Sequence, residues 1–131
     1  EEAIRVTKKD GIILVAFLSV YAIMNDNYLN GTFAAGVEEN FDDNYNVKHF
    51  EEQLFTGYDI VEFEQLFESH QTNYLATVAV DNILELAEGR SDFKMSEEEF
   101  ELFVKYHLAT CEKRELLGSS SHLLYICKKV F

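Results

Sequence analysis

A chain of 131 residues is long enough to bury one hydrophobic core and too short for two of ordinary size, so it reads as a single domain over residues 1–131. Hydrophobic residues make up 47% of it, with eleven phenylalanines and seven tyrosines, which excludes global disorder, and the absence of proline favours helices. A formal net charge of −13 repels phosphate backbones and anionic membrane surfaces, which argues against direct nucleic-acid binding and for a basic protein partner.

The first predicted element is a helix from about Lys8 to Tyr28. The "TKKD" that precedes it pairs a capping Thr7 with Asp10 in the manner of a capping box. The apolar run "IILVAFLSVYAIM" at residues 12–24 falls short of the roughly 20 residues that cross a bilayer, so no membrane span is expected. The alternative is an α+β fold with an N-terminal β-hairpin at 3–22, in which Ala3 to Thr7 turn at "KKDG" into a β-branched strand from Ile12. Asn30, Gly31 and Thr32 mark a turn.

Asn46 can cap a helix that shows Val47, Phe50 and Leu54 on one face and stops at Gly57. Asp59, with Glu62 three residues on, caps another that turns Ile60, Phe63, Leu66 and Phe67 inward. Thr72 opens a longer helix carrying Leu75, Val78, Ala79, Ile83, Leu86 and Ala87, with Gly89 as its stop. Ser96 with Glu99 is the clearest capping box in the chain, ahead of a stripe of Phe100, Phe103, Val104, His107, Leu108 and Cys111. After Gly118 a last helix presents Leu123, Ile126, Cys127 and Val130. The expected fold is therefore all-α, a single compact bundle of about six helices with short connections.

Between the last two long helices, "EGRSDFKMSEEE" at residues 88–99 can be laid on a twelve-residue calcium loop with Glu99 as the final acid. Glu88, Asp92, Met95 and Ser96 then fall on suitable positions, and over this one helix-loop-helix the stretch resembles the EF-hand family. Arg90 stands where a ligand oxygen is required and Phe93 where the backbone calls for glycine. The resemblance thus implies a helix pair, and no calcium, other metal or cofactor is expected.

His107, Cys111, His122 and Cys127 fit no common zinc-finger spacing. In a helical hairpin turning near Ser119, Cys111 and Cys127 would sit at one level, as a disulfide or thiol pair. A bridge would imply secretion into an oxidising compartment, and free thiols a cytoplasmic setting. "GSSSH" at 118–122 lacks the second glycine of a nucleophile elbow, and His49 and His70 stand beside acids in a chain where acids are everywhere, so no enzyme is expected. The expected function is a non-enzymatic interaction module, an adaptor, inhibitor or modulator whose acidic surface binds a basic protein. Its candidate contact residues are Glu97, Glu98 and Glu101, where acids cluster at a helix start. The alternatives are a helical carrier whose phenylalanines line a cavity for an apolar ligand, and an acidic DNA mimic that occupies a nucleic-acid-handling protein.

Overall fold

The run that begins at Ile12 is a β-strand for its first eight residues and a helix only afterwards. In a computed structural model that describes residues 1–53 and 55–131, the elements are α1 (Glu2–Val6), β1 (Ile12–Ser19), α2 (Val20–Leu29), α3 (Phe33–Asn40), β2 (Gly57–Tyr58), α4 (Ile60–Gln65), β3 (Thr72–Ala79), α5 (Leu84–Glu88), α6 (Glu97–Thr110), α7 (Arg114–Leu117) and β4 (His122–Lys129). The fold is α+β, with one mixed sheet of strand order β2-β1-β4-β3 among the described residues, and not the expected all-α helical bundle.

Three predicted helices are overturned by period-two burial. In β1, Ile13, Phe17 and Ser19 are buried while Ile12, Leu14 and Ala16 are exposed. In β4, Leu123, Tyr125 and Cys127 alternate inward, replacing the helical stripe expected there. Thr72 to Ala79 form β3, antiparallel to β4 with an irregularity between Tyr74 and Ala76, and only residues 84–88 of the predicted third helix are helical. The N-terminal hairpin alternative does not hold either: residues 2–6 are a helical turn, and β1 pairs antiparallel with β4 and parallel with the short β2. Where a helix from Asn46 to Gly57 was expected, Val47 instead bridges Phe41, and Leu54 lies outside the described residues. Asp42 organises the turn between them, its Oδ1 accepting from the backbone N–H groups of Asn44 (2.8 Å) and Asn46 (2.9 Å), which holds its carboxyl below the usual carboxylate range. Gly57 is a close-approach residue and not a helix stop, since a Cβ there would lie 3.0 Å from Val20 Cα.

Of the expected helix caps, those at Asp59 and Ser96 are present, whereas Thr7 ends α1 and neither Asn46 nor Thr72 starts a helix; Ser19, not among them, caps α2. Ser19 caps α2 through Ala22 N–H (3.4 Å), and Asp59 caps α4 by accepting from Val61 (2.9 Å) and Glu62 (3.2 Å). Ser96 and Glu99 form the full reciprocal box at the start of α6. Gly31 takes φ +73° at the turn after α2.

The register sets Ile13 beside Cys127, and Phe17 and Ala79 on either side of Leu123, so one sheet face carries the core. Phe63 of α4 and Phe67 in the turn after it are laid on that face, together with Leu117 of α7 and the half-buried Ile4 and Cys111. The opposite face is also apolar, in cross-strand rows of Leu14, Ile126 and Ala76 and of Ala16, Leu124 and Val78, yet Leu14 is 59% exposed. Among the described residues, no helix is long and apolar enough to cross a membrane.

Candidate interaction surface and a carboxylate-histidine cluster

Helix α6 is fourteen residues, roughly 20 Å long at 1.5 Å per residue, and among the described residues it buries none of them. It is tethered near its C-terminal end. There the Cys111 carbonyl accepts the Ala79 N–H at 2.8 Å, and His107 lies 3.5 Å from the side-chain amide of Asn82. Phe103 and His107 stack on each other on the half-buried side.

The other two sides are exposed and apolar at helical spacing. Phe100, Val104 and Leu108 follow one another at four-residue steps, as do Leu102 and Tyr106, and Leu102 and Leu108 are 68% and 70% exposed. A surface helix normally buries its apolar stripe and shows a polar face to solvent, whereas α6 shows apolar residues to water on two sides.

At the N-terminal end of the first stripe lies an open cavity of about 450 Å³. Phe93, Met95 and Phe100 form its apolar wall, and Glu88, Glu97 and Glu101 bring carboxylates to it. Of the acids expected to contact a partner, Glu97 and Glu101 share this cavity. Glu98, on another side of the helix, is exposed but does not line it. Arg90 and Asp92, in the segment that resembles a calcium loop, pair with each other at 3.0 and 3.1 Å, which holds the Asp92 carboxyl low.

Cys111 caps the end of α6 and Cys127 lies on β4; both are free thiols. The helical hairpin that was to place them at one level is absent, because residues 122–129 are a strand. Burial pushes the Cys127 thiol up from its ordinary value.

A second cluster was not anticipated as a group. β3 and β4 converge where Val80 N–H donates to the His122 carbonyl (3.0 Å) and Asp81 N–H to Ser120 Oγ (3.0 Å). Asp81 Oδ2 then accepts from His122 N–H and Ser121 Oγ, both at 3.1 Å, and lies 2.6 Å from His122 Nδ1. Asn82 Oδ1 accepts from Leu84 N–H (2.7 Å) just ahead of α5, which carries Glu85 to the same place, in contact with Ser121 Oγ. One ligand atom each from Asp81, Glu85 and His122 lies within 4.8 Å of the others. Glu85, Ser121 and His122 also line an adjoining cavity of about 600 Å³.

Ser121 Oγ is 3.2 Å from the same Nδ1 that meets Asp81. A serine-histidine-aspartate relay uses both ring nitrogens, one for each partner, so this arrangement is not one. In sequence His122 groups with His107 and the cysteines, and no local pattern joins it to Asp81 and Glu85. No family model and no curated protein matches the chain, which leaves its own geometry to bear on function.

Proposed function

We propose that the chain is an interaction module, an adaptor, inhibitor or modulator, that docks through α6 onto a protein presenting apolar anchors flanked by lysine or arginine. One observation carries this reading: α6 exposes Phe100, Val104 and Leu108 in a continuous stripe that ends at a carboxylate-rimmed apolar cavity. Apolar anchors supply affinity by leaving water, and basic flanks meet Glu88, Glu97 and Glu101 in a chain whose net charge already steers cations toward it.

The test is selection of peptides from a random display library on the intact chain, followed by measured affinities for the recovered sequences. Recovered peptides are expected to combine aromatic or aliphatic anchors with lysine or arginine. They should bind at least about tenfold more weakly to Glu97→Lys/Glu101→Lys protein with an unchanged thermal melt. Peptides without basic excess, or binding that survives the charge reversal, would overturn the assignment.

A further inference from the structure

We propose that Asp81, Glu85 and His122 form a binding site for a divalent transition-metal ion of the zinc class, at a place separate from the α6 surface. Their ligand atoms already lie within 4.8 Å of one another, one imidazole nitrogen and two carboxylates, a donor set that suits zinc and its neighbours. Calcium and magnesium take oxygen ligands, so the imidazole argues against both.

The three donors come from three segments and are held by backbone geometry. Asp81 follows β3 and is fixed by the hydrogen bonds to Ser120, Ser121 and His122; Glu85 stands one helical turn further on in α5; His122 begins β4. The charge around them is unbalanced. Asp81 and Glu85 converge with only the imidazole as a possible counter-charge, and among the described residues no lysine or arginine pairs with either carboxylate. Arg90, on the wall of the adjoining cavity, is taken up by Asp92.

Binding has a defined chemistry. The ion takes the place between His122 Nδ1 and Asp81 Oδ2, and the imidazole coordinates as its neutral form with the proton on Nε2, beside the two carboxylates. The cavity beside Glu85, Ser121 and His122 gives water or a partner's side chain access to the remaining coordination position.

The experiment is calorimetric titration of the intact chain with zinc, magnesium and calcium salts in turn. One zinc equivalent should bind, weakened at least about tenfold in both Glu85→Gln and His122→Ala, while His49→Ala leaves it unchanged. These two positions are chosen because Asp81 also holds backbone, whereas Glu85 and His122 are exposed. Amide resonance shifts on adding zinc to the unmodified protein, expected at residues 81–85 and 121–122, locate the site without any substitution. No stoichiometric zinc binding, binding undiminished in either variant, shifts confined elsewhere, or calcium bound as tightly as zinc would each overturn the proposal.

Discussion

Phe63 of α4 lies flat on Phe17 of β1, with ring centroids 3.7 Å apart and planes 7° from parallel. The pair fastens the helix to the sheet at residues 46 apart in sequence, and each ring is at most 6% exposed. Phe63→Ala should therefore cost about 3–5 kcal/mol, since a buried ring leaves both lost transfer energy and a cavity. Leu66, three residues on, is 51% exposed, and Leu66→Ala should change stability by less than about 0.5 kcal/mol. Denaturant unfolding of the two variants checks both. A mild loss at Phe63 would mean that α4 is not packed as described.

Tyr125 sits beneath this layer, stacked on Phe67 at 4.2 Å, and its phenol is pushed up to about 12, first by burial and then by the charges of Cys127, Glu64 and Tyr74. An unfolded tyrosine loses its proton near 10, so between about 10 and 12 the unfolded chain holds fewer protons than the folded one. Stability from this group is complete below the lower value and is lost as pH rises through the upper. The loss amounts to something on the order of 2 kcal/mol. Cys127 adds in the same direction, its thiol also raised by burial. Tyr125→Phe should remove most of the tyrosine contribution, so the variant's unfolding free energy should fall less between pH 9 and 11.5. Parallel curves would contradict the burial of this hydroxyl.

The two thiols should differ in reach. Cys127 is fully buried with a raised pKa, and Cys111 is partly exposed at the end of α6. Because the thiolate is the reacting species, iodoacetamide at pH 8 should modify Cys111 in the native protein and Cys127 only on unfolding. Peptide mapping decides it, and equal labelling would place Cys127 nearer the surface.

Legible in the sequence were two contacts within one helical turn, although the Thr7–Asp10 pattern of the same length starts no helix. The Ser96–Glu99 box and the Asp59 cap are contacts over three residues, and both are present. The strands were misread because their two sheet faces are both apolar. "HLLYIC" satisfies a helical stripe at Leu123, Ile126 and Cys127 as well as a strand's Leu123, Tyr125 and Cys127, and only the pairing partner decides. The partners of β4 are β1, more than 100 residues earlier, and β3, more than 40 residues earlier, and no local pattern records either. The carboxylate-histidine cluster was hidden for the same reason, since Asp81 meets Ser121 and His122 across β3 and β4. Glu97 and Glu101 were legible as a local run of acids, whereas their association with Phe93 and Met95 depended on the path of the chain before α6.

The claim that α6 is an unpartnered apolar helix until a partner covers it can be measured on α6 itself. The chain has no tryptophan, so Leu108→Trp places a single reporter on the exposed stripe. Red-shifted emission and efficient acrylamide quenching are expected in the free protein, then a blue shift and protection when a selected basic, apolar peptide is added. Emission already blue-shifted and protected in the free protein, or unaltered in the saturated complex, would contradict an exposed stripe that a partner covers.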